Sequence, residues 1–366
     1  MTAPRIVVAG GHSAGHIEPA MNFADAVRRL EPNSEITALG TVRGLDTALI
    51  PARGYPLELI PPAPLSRKLD KALLATPLRL RDSVRAAGAV LDRTRAEALV
   101  GFGGYVAMPA YVAARRRRIP IVVHEANARP GVANRVAARL TPYVFTASAE
   151  VRLPHATPVG IPLRPAIAGL DRAALRAEAR RRFGLHEDGP VLLVTGGSQG
   201  AQAINRAVSG AAAELRAAGV QVLHIIGPQN TVEVPAGEPP YVVLPFVEQM
   251  QYAYAAADFV VCRSGAMTCA ELGAVGLPAV YVPLPLRGGE QRLNAEPIAA
   301  AGGAVIVENE AFTPQWVRAE LIPIVTDAGR VAAMAAASAR AGARDADVVL
   351  ARRVLSIVAE RRESTP

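Results

Sequence analysis

The chain has 366 residues, of which 51% are hydrophobic, 20% charged and 4% aromatic, and its net charge is +8. This apolar content excludes a disordered chain, and the length predicts two domains of ordinary size. No apolar run approaches the roughly 18 residues that a membrane-spanning helix needs. The only cysteines, Cys262 and Cys269, form no disulfide framework and favour a reducing cytoplasm.

The basic excess is a poor indicator of nucleic-acid binding. Of the 40 basic residues only Lys68 and Lys71 are lysine, a bias towards arginine that accompanies abundant alanine and is typical of a genome-wide composition. The aromatic side chains that would stack on bases are also few. We therefore expect no nucleic-acid partner.

Strand and helix patterns alternate along the first half of the chain. After a strand over Arg5–Ala9, a helix is predicted over Pro19–Leu30, with proline near its first turn. The later predicted strands are Glu35–Leu39, Ala98–Gly101, Ile119–His124 and Val144–Ala147. The helices predicted between them are Ser83–Arg95 and Pro109–Arg117. This alternation predicts a parallel sheet covered by helices on both faces.

A proline-rich stretch, Thr157–Pro165, predicts a linker, after which the pattern restarts. The predicted elements that follow are helix Arg172–Phe183, strand Val191–Thr195, helix Ala201–Ala217, strands Gln221–Ile226, Tyr241–Leu244 and Phe259–Cys262, helix Ala266–Val275, strand Ala279–Val282 and helix Val348–Arg361. The chain thus predicts two Rossmann-like, doubly wound α/β domains that face a central cleft. The first comprises residues 1–160 with the C-terminal helix 346–366, and the second residues 161–345.

Two glycine-rich turns, Gly10–His16 and Gly196–Ala201, each follow an apolar strand and precede an alanine-rich helix. Glycine lets the backbone approach a ligand closely, and the N–H groups of a helix's first turn point at an anion. Two such loops, about one domain length apart, predict a phosphate-bearing substrate.

Six motifs, in order, resemble those of the MurG family of peptidoglycan glycosyltransferases. They are Gly10-Gly11-x-Ser13-Ala14-Gly15-His16 with Glu18-Pro19, Gly101-Phe102-Gly103-Gly104-Tyr105 with His124-Glu125-Ala126-Asn127, Gly160-Ile161-Pro162-Leu163-Arg164, Gly196-Gly197-Ser198-Gln199-Gly200, Cys262 to Glu271, and Glu290 to Ala295. That family adds N-acetylglucosamine from UDP-GlcNAc to undecaprenyl-pyrophosphoryl-N-acetylmuramyl-pentapeptide. The resemblance implies a GT-B fold, an inverting transferase at the cytoplasmic face of the cell membrane, and no cofactor.

The resemblance also implies the residues that bind each substrate. Those expected on the UDP-GlcNAc side are Ser13, Ala14, Gly15, Asn127, Arg164, Ser198, Val247, Ala266, Met267, Thr268, Glu271 and Gln291. Those expected on the side of the lipid-linked acceptor are His16, Tyr105, His124, Glu125 and Asn127. Another GT-B glycosyltransferase, a UDP-sugar epimerase, or a binding protein without chemistry are the alternatives.

The resemblance implies that His16, which stands where the first glycine loop meets its helix, is the candidate catalytic residue. An imidazole can take the proton of the C4 hydroxyl of the muramyl sugar as that hydroxyl attacks. The alternative is a histidine that only contacts the acceptor pyrophosphate.

On the donor side, the Glu271 carboxylate can accept both ribose hydroxyls, while the helix start at Ala266–Thr268 takes phosphate. The alternative is a solvated surface glutamate. Ser198 and its neighbouring N–H groups can hold phosphates or form a plain tight turn. For Arg164 and Gln291, surface solvation is the alternative to binding uridine and sugar hydroxyls.

Two positions depart from the family's pattern. His12 stands within the first loop's turn, where we expect a glycine or a small residue. Some relatives carry two consecutive glutamines where this chain has Glu290-Gln291, so Gln291 is the expected amide and the role of Glu290 is open.

No metal site is predicted. Asp345-Ala346-Asp347 has the form of a metal-binding DxD motif, but it directly precedes the last helix, and we interpret it as a helix cap. Cys262 and Cys269 have no accompanying histidine pattern of a zinc site.

The segment Leu65–Leu80 interleaves apolar and basic residues, among them Arg67, Lys68, Lys71 and Arg79. Arg81, Arg85 and the run Arg115–Arg118 extend the basic character. Because a lipid-linked acceptor is reached at an anionic membrane, we expect this segment to rest on that surface. The alternative is an ordinary amphipathic surface helix.

Overall fold

A computed structural model describes residues 3–42, 44–62, 71–285 and 288–364, with only the backbone described for 71–77. The chain divides into two compact units: Met1–Leu163 with Asp345–Pro366, here the N-terminal unit, and Arg164–Arg344, the C-terminal unit. The assignment of the acceptor to the first unit and the donor to the second stays a prediction.

The N-terminal unit contains a seven-stranded parallel sheet in the order β3-β2-β1-β4-β5-β6-β7. The strands are β1 (Arg5–Gly10), β2 (Glu35–Gly40), β3 (Leu57–Leu59), β4 (Ala98–Gly103), β5 (Ile121–Glu125), β6 (Tyr143–Thr146) and β7 (Ala156–Pro158). The helices are α1 (Ala14–Leu30), α2 (Asp46–Ala52), α3 (Lys71–Arg93), α4 (Ala107–Arg116), α5 (Val132–Ala137) and the C-terminal helix (Ala346–Glu363).

Both faces of this sheet are buried, as the alternation along β1 shows. Ile6 and Val8 lie in a core with α1 and the C-terminal helix, whereas Val7 and Ala9 lie in a second core with α3 and α4. Successive residues of a strand point to opposite faces, so a strand covered on both sides is continuously apolar. The C-terminal helix contributes Leu350 to the first core, which is why the chain returns to this unit.

The C-terminal unit contains a six-stranded parallel sheet in the order β10-β9-β8-β11-β12-β13. The strands are β8 (Val191–Thr195), β9 (Gln221–Ile225), β10 (Tyr241–Leu244), β11 (Phe259–Cys262), β12 (Ala279–Tyr281) and β13 (Ala304–Ile306). The helices are α6 (Pro165–Ala168), α7 (Arg172–Arg182), α8 (Gln202–Ser209), α9 (Ala212–Ala217), α10 (Met250–Ala256), α11 (Ala266–Val275), α12 (Glu290–Ala300), α13 (Pro314–Trp316), a π-helical turn (Val317–Leu321), α14 (Ile322–Thr326) and α15 (Ala328–Ala341).

Helices α1 and α3 begin earlier than predicted. Helix α1 begins at Ala14 rather than Pro19, because the carbonyl oxygen of Ser13 already accepts hydrogen bonds from the N–H groups of His16 and Ile17. Pro19 therefore lies inside the helix, where it cannot donate to the carbonyl of Gly15. Helix α3 begins at Lys71, twelve residues before the predicted Ser83.

The predicted helix Ala201–Ala217 is two helices, separated at Gly210. The Gly210 carbonyl accepts a hydrogen bond from Arg318, and a β-carbon at Gly210 would lie 2.9 Å from Pro314 Cγ. The predicted linker Thr157–Pro165 was also wrong at its start, since Ala156–Pro158 forms the edge strand β7. A proline is tolerated there because an edge strand needs no N–H donor on its open side.

The interpretation of Asp345-Ala346-Asp347 as a helix cap needs a correction. Asp345 occupies the N-cap position of the C-terminal helix, but its backbone is not extended and its side chain caps no N–H group. The Asp347 carboxylate instead pairs with Arg29 of α1 at 2.5 Å, which ties the C-terminal helix to the N-terminal unit.

Each sheet reverses its winding direction at one point. In the N-terminal unit this point lies between β1 and β4, and in the C-terminal unit between β8 and β11. In doubly wound sheets, ligands bind outside the carboxyl ends of the two strands at such a switch point. The loops after these four strands contain Ser13, Tyr105 and Ser198, and the first turns of α1 and α11 contain Ala14–His16 and Ala266–Thr268.

Within the described part of the chain, no single helix has both the length and the apolar character of a membrane span. Only the segments Pro314–Thr326 and Ala328–Glu363 meet both criteria when taken as a pair, and they are bent by 84° relative to each other.

Candidate functional site

In the N-terminal unit, the loops after β1 and β4 are in direct contact. A β-carbon on Gly10 would lie 3.0 Å from Phe102 Cβ, and one on Gly104 would lie 2.5 Å from the carbonyl oxygen of Gly11. Gly103 and Gly104 also have positive φ angles, +95° and +81°. Glycine is required here for both conformation and close approach, so the two loops form one site.

His16 is oriented by this contact between the loops. Its Nδ1 lies 3.0 Å from the carbonyl oxygen of Phe102. A carbonyl oxygen only accepts hydrogen bonds, so Nδ1 carries the proton and Nε2 is the basic nitrogen. Gly103 is so close that a β-carbon on it would lie 3.1 Å from His16 Cε1, which limits the ring to this position.

The other predicted residues of these loops lie at the surface of the same site. Ser13 and Gly15 are exposed and Ala14 is half-buried at the start of α1. Tyr105 follows the glycine pair after β4 and is 46% exposed. The structure therefore brings Ser13, Ala14, Gly15, His16 and Tyr105 together at the switch point.

His124 and Glu125, at the end of β5, are buried rather than exposed. The Glu125 carboxylate accepts hydrogen bonds from the backbone N–H groups of Asn127 and Gly131, each at 3.0 Å, and from Asn134 Nδ2 at 3.0 Å. Burial raises the pKa of Glu125, although these donors favour its ionised form. Glu125 thus holds the loop that presents half-buried Asn127, and its contact with an acceptor stays a prediction.

Sequence reasoning missed two residues that support Glu125. Asn134 of α5 also donates to the carbonyl oxygen of His124, and the buried Tyr111 hydroxyl donates to Asn134 Oδ1 at 2.7 Å. Both are polar groups on helices that pack against the sheet. Only the strand order brings them to β5, so periodicity could not identify them.

His124 connects β5 to the segment that leaves the N-terminal unit. Its Nε2 lies 2.8 Å from the carbonyl oxygen of Gly160 and therefore donates, and its ring lies against Phe102. Burial lowers the pKa of His124 to about 4, so the imidazole is neutral at pH 7.

In the C-terminal unit, the loop after β8 contains two glycines with positive φ, Gly197 at +86° and Gly200 at +75°. A β-carbon on Gly200 would lie 1.9 Å from the carbonyl oxygen of Ile226, so this position requires glycine. Thr195 Oγ1 accepts the N–H of Gly197 at 3.2 Å, and Ser198 is exposed at the tip of the loop.

Glu271 of α11 is buried within a polar cluster. Its Oε2 accepts a hydrogen bond from the Tyr254 hydroxyl at 2.7 Å, and its Oε1 lies 3.4 Å from Arg164 Nη2. Burial and the nearby Glu271 charge raise the pKa of Tyr254 well above its usual value, so the phenol stays a donor. The structure thus joins Glu271 and Arg164, two residues predicted to bind UDP-GlcNAc. It adds Tyr254, which sequence reasoning missed.

The first turn of α11 contains Ala266, Met267 and Thr268, all half-buried, directly after β11. Four N–H groups at a helix start have no partner within the helix and favour an anion. Gln291 lies in the first turn of α12, and its Oε1 accepts the N–H of Leu284 at 2.9 Å. The amide NH₂ of Gln291 therefore points away from Leu284. Val247 lies between β10 and α10 and has no described contact with these residues.

No group of three or more histidine, cysteine, aspartate or glutamate side chains is placed to hold a metal ion within residues 3–42, 44–62, 71–285 and 288–364. Of the Leu65–Leu80 segment, residues 65–70 lie outside this part of the chain and residues 71–77 are described by their backbone alone. Lys68 is not described, and only the backbone of Lys71 is, in α3.

Comparisons with known proteins agree with this architecture. Family models described as the glycosyltransferase family 28 N-terminal and C-terminal domains match residues 6–146 and 191–350. A UDP-N-acetylglucosamine–N-acetylmuramyl-(pentapeptide) pyrophosphoryl-undecaprenol N-acetylglucosamine transferase from Thermobifida fusca is 55% identical over 98% of this chain and 95% of its own length.

Solved structures show the same fold. A crystal structure of MurG from Acinetobacter baumannii is 26% identical, covers 97% of this chain and 100% of its own, and has a TM-score of 0.78. The calicheamicin glycosyltransferase CalG4 covers 100% of both chains with a TM-score of 0.67, but at 17% identity this likeness shows the fold alone. The two doubly wound units are therefore those of a GT-B fold, and the chain belongs to the MurG family within glycosyltransferase family 28.

Proposed function

We propose that this protein is an inverting glycosyltransferase of peptidoglycan synthesis. It moves N-acetylglucosamine from UDP-GlcNAc to the C4 hydroxyl of undecaprenyl-pyrophosphoryl-N-acetylmuramyl-pentapeptide. The observation that carries this proposal is the similarity, along nearly the whole chain, to a transferase of that name. The orientation of His16 and the cluster around Glu271 supply the chemistry that this reaction needs.

The acceptor's hydroxyl is deprotonated by His16 in this mechanism. Nε2 takes the proton of the C4 hydroxyl as its oxygen forms a bond to the anomeric carbon of GlcNAc. The bond from that carbon to the phosphate oxygen breaks, and UDP leaves with the bonding electron pair on the opposite face, so the anomeric configuration inverts. Nδ1 keeps its hydrogen bond to Phe102 throughout, which stabilises the imidazolium that forms.

Most of the residues expected to bind UDP-GlcNAc lie in the C-terminal unit, whereas Ser13, Ala14, Gly15 and Asn127 lie in the N-terminal unit. Glu271 accepts the ribose hydroxyls beside its contacts with Tyr254 and Arg164, since each carboxylate oxygen accepts more than one hydrogen bond. The N–H groups at the start of α11 and Ser198 face the phosphates, and they stabilise the charge that develops on UDP. The Gln291 amide NH₂ donates to a sugar hydroxyl.

The function is tested by mixing the protein with UDP-GlcNAc and the undecaprenyl-linked muramyl acceptor, and measuring UDP and the lipid-linked disaccharide. We expect both products in equal amounts, and neither when the acceptor is left out. A UDP-sugar epimer formed without acceptor would instead indicate an epimerase. Tight UDP-GlcNAc binding without any product would indicate a binding protein.

Replacement of Glu271 tests the donor site. Glu271→Ala removes charge-assisted hydrogen bonds of roughly 1.5–3 kcal/mol each, so the KM for UDP-GlcNAc should rise at least tenfold. Tyr254→Phe keeps the Glu271 carboxylate but removes a hydrogen bond that orients it, and should raise this KM by about 2- to 10-fold. The KM is measured by UDP release at saturating acceptor.

A 2′-deoxyribose analogue of UDP-GlcNAc makes this test specific. The parent should use it poorly, whereas Glu271→Ala should no longer distinguish it from UDP-GlcNAc. Glu320→Ala, which removes an exposed glutamate of the same unit, is the matched control and should leave the donor KM unchanged. An unchanged donor KM in folded Glu271→Ala would refute the ribose role.

Replacement of His16 tests the base. His16→Ala should lower kcat by about 10²–10⁴ while the protein stays folded, because the attacking hydroxyl loses its proton acceptor. The donor KM should change little, since His16 belongs to the N-terminal unit. His186→Ala, an exposed histidine of the other unit, is the control. If kcat stays near normal and only the acceptor KM rises, His16 is a pyrophosphate contact, and Glu125 or a water becomes the candidate base.

The described residues around α3 and α4 support a peripheral position on the cytoplasmic face of the membrane. The two helices share one core, which leaves their outer sides at the surface. Five residues of these helices are exposed: Leu78, Arg79 and Arg81 of α3, and Arg115 and Arg116 of α4. A cation near an anionic leaflet contributes about 1 kcal/mol of attraction, and this attraction is screened by salt.

Reversing the two lysines tests this membrane contact. Lys68→Glu with Lys71→Glu should weaken binding to anionic vesicles and lower activity on a membrane-embedded acceptor, while activity on a short water-soluble analogue survives. Arg330→Glu with Arg340→Glu makes the same charge change on exposed residues of α15 and should bind vesicles as the parent does. Equal vesicle binding by the lysine variant and the parent would show that Leu65–Leu80 is a solvated surface.

A further inference from the structure

His12 lies in a backbone conformation that favours glycine. Its φ angle is +78°, in the left-handed region that glycine enters without steric cost and that residues with a β-carbon rarely adopt. This is the position at which the sequence departs from the small residue expected in the loop. The imidazole must therefore be explained by something other than the turn.

The turn at His12 is held by hydrogen bonds to the backbone N–H and carbonyl groups of His12 itself. The His12 N–H donates to Asp46 Oδ1 at 2.7 Å, and its carbonyl oxygen accepts the N–H of Leu45 at 3.3 Å. Asp46 is fully buried and also accepts the N–H of Thr41 at 2.9 Å, which fixes its carboxylate. A glycine at position 12 would keep both bonds, so the fold does not need the side chain.

The His12 ring packs against Tyr105, on the facing loop. The two ring centroids are 5.2 Å apart with an angle of 72° between the planes, which is the edge-to-face geometry that aromatic pairs prefer. Both residues are exposed. Gly11 and Gly104 hold the two loops in backbone contact, and the His12 ring restricts where the Tyr105 ring can turn.

We propose that His12 is a positioning residue, which holds the exposed Tyr105 ring in the orientation that contacts the sugar of the lipid-linked acceptor. The proposal rests on the proposed function, because it takes Tyr105 as an acceptor contact. An exposed tyrosine loses side-chain freedom when it binds a ligand, and a ring that is already held loses less. His12 therefore lowers the acceptor KM without entering the chemistry.

Three substitutions at position 12 separate this role from a structural one. His12→Gly relieves the backbone conformation, so its melting temperature should stay within about 3 °C of the parent's, yet its acceptor KM should rise about 2- to 10-fold with kcat and the donor KM unchanged. His12→Asn tolerates the left-handed region but has no ring, and should behave as His12→Gly. His12→Phe restores a ring and should recover most of the acceptor KM.

A double-mutant cycle with Tyr105→Leu tests whether His12 acts through Tyr105. Once Tyr105 is leucine, His12→Gly should have no further effect on the acceptor KM. Additive effects would overturn the proposal, as would an acceptor KM for His12→Gly equal to the parent's. Failure of His12→Phe to recover the KM would also overturn it, since that result would assign the effect to the imidazole nitrogens.

A spectroscopic measurement keeps this test independent of the transferase reaction. In protein labelled with 3-fluorotyrosine, the ¹⁹F resonance of Tyr105 is identified by its loss in Tyr105→Leu. His12→Gly should shift this resonance, and His12→Phe should partly restore it. A parent that makes no disaccharide would refute the proposed function, whereas an unmoved Tyr105 resonance in His12→Gly would refute the positioning role alone.

Discussion

Backbone contact between the loops after β1 and β4 is the constraint on which the N-terminal site depends. Gly11 and Gly104 approach so closely that a β-carbon between them would overlap a carbonyl oxygen. This approach places His16 against Gly103 and the Phe102 carbonyl, and that carbonyl selects the tautomer with a basic Nε2. A side chain at Gly104 would separate the loops and remove the orientation of His16 at the same time.

Each unit contains a buried carboxylate beside its switch point, and the two are satisfied in different ways. Glu125 is saturated by N–H donors from its own loop and from Asn134, which suits a group that shapes a loop. Glu271 accepts a hydrogen bond from the phenol of Tyr254 and pairs with the half-exposed Arg164. A buried carboxylate is costly without donors, so both clusters depend on partners from other elements.

Two arginines, Arg172 and Arg180, use their charge inside the C-terminal unit. The Arg180 side chain is fully buried, where it pairs with Asp258 at 2.9 Å and donates to backbone carbonyls. Arg172 donates to the carbonyl oxygens of Tyr254, Gly276 and Ala257, and burial lowers its pKa to about 10. These arginines join α7 to the ends of neighbouring elements, which is a structural use that net charge alone does not reveal.

The sequence by itself determined the alternation of strands and helices, because apolar runs and glycine punctuation are local. Val191–Thr195, Phe259–Cys262 and Ala266–Val275 have the bounds that the pattern predicted. The motifs also indicated the family and the loops that carry its residues. Only the tertiary structure decided which groups support those loops: Asn134 for Glu125, Tyr254 for Glu271, and Asp46 for His12, which lies 34 residues away. Such contacts depend on the order of the strands in each sheet and on how deeply each side chain is buried. The periodic pattern of apolar residues in the sequence indicates neither.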